Sequence, residues 1–249
     1  MKTIGKEKLK IYKSLKLKKY RLKYNKFLVE GSKMISEVPA SQIDRIEYVF
    51  VSDEKYISDI PHELQEYIAL ISNKEMKALS SMKTPPGVMA VIKECDVLDL
   101  NPEKTKIEPW IALEGISDPG NLGTIVRSAA WFGYRHIVLI GDCVDPYNNK
   151  VVQASMGSFW NVQFYRSDLS ELAKINVPLL LADMGGLDYR NFDWPEGYFL
   201  ILGSESQGVS DDLRALAQEC LSVPSAASTV TDSLNLSITA SILMASSAK

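Results

Sequence analysis

Three polar segments break the apolar C-terminal half of this 249-residue chain, and each follows, at a different distance, a run of β-forming residues. The runs are Trp110 to Leu113, Tyr198 to Leu202 and Leu221 to Val223. The segments are Asn121-Leu122-Gly123-Thr124-Ile125-Val126-Arg127, Gly203-Ser204-Glu205-Ser206-Gln207-Gly208-Val209-Ser210 and Ser233-Leu234-Asn235-Leu236-Ser237. Each segment pairs a helix start with a few hydrogen-bonding side chains. Strand followed by polar turn and helix is the pattern of an α/β fold that holds its ligands at strand ends.

The same alternation runs through the rest of the chain. Lys26 to Gly31, Ile46 to Val51, Ile68 to Ile71 and Gly87 to Ile92 read as strands, with helices opened by Ser32 and Asn73. These form a small α/β domain over residues 1–95. Residues 96–108 are polar and contain Pro102, so they are expected to link it to a second domain over 109–249. There the β-type runs at His136 to Ile140, Val162 to Tyr165 and Val177 to Ala182 alternate with helical stretches, which predicts a parallel sheet covered on both faces. Neither a Gly-x-Gly-x-x-Gly turn after the first strand nor a Walker phosphate loop is present, which argues against a dehydrogenase or an NTPase.

Charge is unevenly placed. Eleven of the 28 basic residues fall within the first 26 positions, opposed there only by Glu7, whereas the whole chain carries a net charge of -3. Leu9, Tyr12, Leu15, Leu17 and Leu22 are interleaved with these lysines at roughly helical intervals. One basic helix, apolar on its packed side and cationic outside, is therefore expected to face RNA, with Lys16, Lys18, Lys19, Arg21 and Lys23 as contacts. A solvated lysine face is the plainer alternative. The apolar stripe is narrow and lacks Trp or Phe, which disfavours a membrane surface, and no apolar run approaches a membrane span. Cys95, Cys143 and Cys220 lack disulfide or zinc spacing and are expected to be reduced and idle. With only His62 and His136, no protein-held metal is expected, and His136, at a strand start, reads as structural. The cytoplasm is the expected location.

Taken singly, the three segments have ordinary explanations. Asn121 suits a helix cap and Arg127 a surface position, Glu205 suits a solvated loop, and Ser233 and Asn235 suit a cap. Together they resemble the motifs of the SpoU or TrmH-type RNA ribose 2′-O-methyltransferases of the SPOUT superfamily, in the family's order. Lys19-Tyr20-Arg21 followed by Phe27 to Gly31 is similar to the start of the substrate-binding domain often fused ahead of that catalytic domain.

The resemblance implies a parallel-sheet domain tied in a deep trefoil knot, preceded by an RNA-binding domain like those of ribosomal proteins. It also implies S-adenosylmethionine as methyl donor, a homodimer, and structured RNA as substrate, ribosomal RNA first and tRNA second. Carried onto this sequence, the family pattern makes Asn121, Arg127, Glu205, Ser233 and Asn235 the catalytic group. Leu202, Gly203, Ser204, Val223 and Leu234 become the donor-binding set. Methyl transfer from a sulfonium needs alignment and proton removal, for which these residue types suffice. The competing reading is an RNA-binding or ribosome-assembly factor that kept the fold and lost catalysis.

Overall fold

The computed structural model describes residues 2–93, 97–104, 107–226 and 232–248. Cys95 and parts of the expected linker, at 96, 105 and 106, lie outside the described residues. Two compact units are present: Met1–Asp96 together with Tyr147–Trp160, and Val97–Pro146 together with Asn161–Lys249.

In the first unit, α1 (Lys6–Ser14) and α2 (Lys18–Tyr24) precede β1 (Lys26–Glu30) and α3 (Ser32–Ser36). β2 (Ile46–Val51), β3 (Ile68–Leu70), α4 (Asn73–Leu79) and β4 (Val88–Lys93) complete a four-stranded sheet of order β1-β4-β2-β3, in which only β2 and β3 run parallel. Tyr12 and Leu15 of the basic segment pack with Leu28, Phe50, Met76 and Val91, so the apolar stripe read in the sequence does face a core.

The single basic helix is in fact two. Leu17 is extended (φ -102°, ψ 131°), and the guanidinium of Arg21 bridges the corner, donating through Nη1 to the carbonyls of Leu15 at 2.8 Å and Lys16 at 3.0 Å. Arg21 is 2% exposed, which withdraws it from RNA contact: a buried guanidinium needs acceptors, and the carbonyls freed at a helix end supply them. Lys16 is likewise engaged, donating to the Ser80 carbonyl at 2.6 Å, and partial burial lowers its affinity for a proton. Two helix starts also move. Ser72, not Asn73, caps α4 through a reciprocal box with Glu75, and Ser32 makes no cap bond.

The segment Tyr147–Trp160, expected in the second domain, belongs to the first unit. It contains α6 (Asn149–Ser155). Its aromatics explain the placement: the Phe27 ring lies 4.7 Å from Tyr147 and 5.7 Å from Phe159, and Trp160 Nε1 donates to the Met34 carbonyl at 2.9 Å.

The second unit is built on seven parallel strands: β5 (Val97–Asp99), β6 (Pro109–Glu114), β7 (His136–Ile140), β8 (Gln163–Ser167), β9 (Leu179–Asp188), β10 (Tyr198–Leu202) and β11 (Glu219–Ser222). Their order is β11-β9-β10-β6-β7-β8-β5. β5 occupies part of the expected linker. It is an edge strand, paired with β8 through backbone bonds and mostly exposed, so it has no apolar run to announce it. β10 is buried along its whole length, as a central parallel strand must be. Helices α5 (Pro119–Trp131), α7 (Leu169–Leu172), α8 (Asp211–Leu216) and α9 (Leu236–Ser247) surround the sheet, and α5 packs on α9. His136 is structural: its ring stacks on Trp110 at 4.1 Å, with Nε2 2.9 Å from Glu108 and Nδ1 3.1 Å from the Tyr165 hydroxyl. No helix among the described residues is long and apolar enough to cross a membrane.

Replacing Arg21 by alanine removes charged donors from buried carbonyls and leaves a hole. Urea unfolding is expected to show a loss of about 2–3 kcal/mol, and Arg21→Lys, which cannot bridge two carbonyls in the same plane, recovers only part of it.

Candidate active site

The chain runs from β6 outward to β7 and β8, then returns to place β10 and β9 on the other side of β6. The strand order therefore reverses between β6 and β10, and in an open parallel sheet that reversal leaves a crevice beyond the carboxyl ends of the two strands. The three polar segments meet there.

Asp118 caps α5 by accepting from the Asn121 amide at 2.8 Å, so Asn121 is not the cap but sits inside the first turn with its side chain free for other work. Asn235 caps α9, its Oδ1 accepting from the amides of Ser237 at 2.9 Å and Ile238 at 3.3 Å. Its Nδ2 donates to Asn121 Oδ1 at 3.1 Å, and Asn121 Nδ2 donates to Glu205 Oε1 at 2.6 Å. The result is a polarised line running from the α9 N-terminus through two carboxamides to a carboxylate. Each amide in it uses its carbonyl as acceptor and its NH2 as donor.

The loop bearing Glu205 is fixed at both ends. Ser204 and Gly208 exchange backbone bonds at 2.9 Å in each direction. A Cβ on Gly203 would lie 2.1 Å from the Gly208 carbonyl carbon, so no other residue fits where the strand meets the loop, and Gly208 turns at φ +69°. Farther along, Ser210 caps α8 and is itself held by Glu114 at the end of β6. Glu114 Oε2 accepts from the Ser210 amide at 2.8 Å, and Oε1 accepts from its hydroxyl at 2.7 Å. Glu114, Asp118 and Ser210 were not singled out from the sequence. Capping preference is the signal that could have found Asp118 and Ser210, whereas nothing local signals the Glu114 bond, which joins residues 96 positions apart.

The remaining candidates are placed as follows. Arg127 is exposed on α5, two turns beyond Asn121, and among the described residues nothing hydrogen-bonds or ion-pairs with its guanidinium. Ser233 and Leu234 are exposed immediately before α9. Leu202 is buried and offers only its backbone, and Val223 follows β11 half-buried. Asn121, Glu205 and Asn235 are thus directly joined, and the other residues make no bond to that line. Cys143 is half-buried beside the crevice, its thiol donating to the carbonyls of Leu113 and Ile140 at 3.3 Å each; burial pushes it up, away from thiolate chemistry.

Known proteins resemble this chain along nearly its whole length. The profile of the SpoU rRNA methylase family matches residues 108–245, and that of the MRM3-like substrate binding domain matches residues 6–90. The Bacillus subtilis 23S rRNA (guanosine(2553)-2′-O)-methyltransferase RlmP is 30% identical over 246 residues, covering 96% of this chain and 94% of its own. A solved TrmH-family structure from Porphyromonas gingivalis superposes with a TM-score of 0.84 at 28% identity, covering 99% and 98% of the two chains. The AdoMet-bound rRNA methyltransferase of Sinorhizobium meliloti shares the fold, with a TM-score of 0.82 at 23% identity over 99% and 96%. Fold and family match together define an RNA methyltransferase. The chain belongs to the SpoU rRNA methylase family.

Cutting the Glu114 to Ser210 tie frees one end of the Glu205 loop without touching Asn121, Glu205 or Asn235. Glu114→Ala is expected to lower methyl transfer by about tenfold or more, because small displacements of positioning groups are costly. The KM for the methyl donor should rise, and Glu114→Gln, which keeps one acceptor, should fall between. Steady-state kinetics checks this; an unchanged KM with unchanged turnover defeats it.

Proposed function

We propose that the protein methylates a ribose 2′-hydroxyl in structured RNA, with ribosomal RNA as substrate, and that Asn121, Arg127, Glu205, Ser233 and Asn235 form its catalytic group. The hydrogen-bonded line from Asn235 through Asn121 to Glu205 supports this most directly, because it joins all three polar segments at one crevice. The RlmP relative, a 23S rRNA 2′-O-methyltransferase matched along nearly its full length, supports the substrate class.

The strand ends suit S-adenosylmethionine. The Gly203 to Gly208 approach removes side chains from the place where β10 opens into its loop, leaving backbone amides and carbonyls as the recognising groups. Gly203, Ser204, Val223 and Leu234, with the Leu202 backbone, are the residues to hold it. When bound, the cofactor supplies a methyl group already made electrophilic by its sulfonium.

The protein's own residues then orient the ribose and manage one proton. The Asn121 and Asn235 carboxamides fix the Glu205 carboxylate, so its orientation does not depend on substrate. Arg127, exposed and without a partner among the described residues, is available to an incoming phosphate or alkoxide. An arginine keeps its proton at neutral pH, so its role is to stabilise the oxyanion that forms as the hydroxyl loses its proton to another group or to water. A non-catalytic RNA-binding or assembly factor has no use for such a line, and the enzymatic relatives weigh against it.

Several further features belong to the same reading. Lys18, Lys19 and Lys23 remain exposed on α2 and are assigned to RNA. Residues 6–90 act as a ribosomal-protein-like substrate domain, in keeping with the matched profile. The trefoil knot is carried over from the family resemblance, and α9 opens beside Asn121. Homodimer formation is supported by the α5 and α9 pair, fastened by Ser128 Oγ and Ser241 Oγ at 2.7 Å, on which Trp131 is 84% and Ile238 46% exposed. A cytoplasmic setting suits an enzyme of ribosomal RNA.

Arg127→Ala is expected to reduce methyl transfer to RNA by about 10²–10³-fold, the usual loss when an oxyanion donor is removed. Donor binding, measured by calorimetry, should stay within about twofold of wild type, and near-normal turnover refutes the assignment. Trp131→Glu should convert a dimer to monomer by light scattering; a variant of unchanged mass refutes the dimer surface.

A further inference from the structure

The first unit sorts its many cations into two groups. Lys8 and Lys26 face the carboxylate of Glu47, which also accepts from Tyr12 Oη. Lys2 donates to the Glu47 carbonyl and lies over the Tyr67 ring, Lys16 donates to the Ser80 carbonyl, and Arg21 serves the corner between α1 and α2. Those charges are committed to holding the fold. Lys6, Lys10 and Lys13 are not: all three are exposed, none makes a hydrogen bond or ion pair among the described residues, and Lys6 alone acts at longer range on the Glu75 carboxylate.

These three lysines follow one another at i, i+4 and i+7 along one face of α1. At 1.5 Å per residue their stations are about 6 Å and 4.5 Å apart along the axis. They line a groove of about 230 Å³ between α1 and α4, whose other walls are Leu9, Glu75, Ala78 and Leu79. Leu79 is fully buried beneath it and Leu9 packs on the same core, so the floor is apolar while the α1 rim is cationic. Glu75, the one acid present, is already engaged. Its carboxylate accepts from the Ser72 amide and hydroxyl in the α4 capping box, and those bonds hold it below the usual carboxylate range.

We propose that this groove binds a single-stranded stretch of the RNA substrate, one unpaired base lying on Leu9, Ala78 and Leu79 with its flanking phosphates on Lys6, Lys10 and Lys13. An apolar slot with an ammonium row on one side matches a nucleotide chain, which is flat and apolar at the base and anionic at regular intervals alongside it. The slot is too small for a duplex. It is concave and has no aromatic residue to insert into lipid, unlike a membrane-facing helix. Both walls fall within residues 6–90, which match a substrate binding domain. The proposal rests on the RNA-methylating reading for the identity of the anion, and it adds a contact that none of the three catalytic segments provides.

The test uses the full-length protein and three fluorescent probes: a 12-nucleotide unstructured RNA, a 12-base-pair RNA duplex and a glutamate-rich peptide. Lys10→Glu and Lys13→Glu reverse rim charges, Ala78→Trp fills the floor, and Lys55→Glu makes the same charge change at a lysine paired with Asp53 elsewhere in this unit. Each groove variant should weaken single-strand binding by about tenfold, and each lysine variant should reduce the salt slope by about 0.7, the value for one lost phosphate contact on a single strand. Lys55→Glu should leave both nearly as they were, and calorimetric binding of S-adenosylmethionine should be the same in all four. Equal losses from Lys55→Glu and the rim variants, no loss from Ala78→Trp, or preferential binding of the duplex or the peptide overturns the groove. Loss of RNA binding in the groove variants of a protein that transfers no methyl group upholds the groove and removes the enzymatic reading instead.

Discussion

The reversal of strand order between β6 and β10 is the constraint from which the rest of the second unit follows. Seven parallel strands require crossovers that bury both faces, so the sheet interior has no room for polar chemistry. At the one place where successive connections leave in opposite directions, no crossover covers the strand ends. Glu114 and Gly203 stand at that opening, and the starts of α5, α8 and α9 are all brought to it. Each helix start has unpaired amides to satisfy. Asp118, Ser210 and Asn235 satisfy them, and two of these caps are tied onward, to Glu114 and to Asn121. Capping and site construction are here one set of bonds.

That economy explains why the polar line is held without burying charge. Asn235 spends its carbonyl on the α9 amides and its NH2 group on Asn121, and Asn121 repeats the arrangement toward Glu205. A carboxamide is the residue type that can pass a hydrogen bond along in one direction, because it carries donor and acceptor on one rigid plane. A Ser or Asp at either position breaks the line. Arg127 stands apart on the same helix as Asn121, exposed, which suits a cation that engages substrate and not scaffold.

The first unit shows the opposite use of polar groups. Its lysines neutralise Glu47, its arginine closes a helix corner, and the Glu30 carboxylate accepts from Ser80, from the Ser81 amide at 2.9 Å and from the Ser81 hydroxyl at 2.6 Å. A cation-rich segment in sequence is therefore not a uniform cationic surface. Burial divides it into cations that hold the fold and cations left at the surface.

From the sequence alone came the α/β class, ten of the eleven strands among the described residues, the parallel character of the second sheet and the three segments that meet at the crevice. Those follow from local rules: apolar runs for buried strands, turn residues at their ends, polar side chains at helix starts. Tertiary structure alone decided that Arg21 and Lys16 serve the fold, that β5 is a strand, and that residues 147–160 join the first unit. It also decided that Glu114 holds Ser210. The reason is common to all four. Each depends on a partner distant in sequence or on the burial of one particular side chain, and neither distance nor burial is encoded in the neighbouring residues.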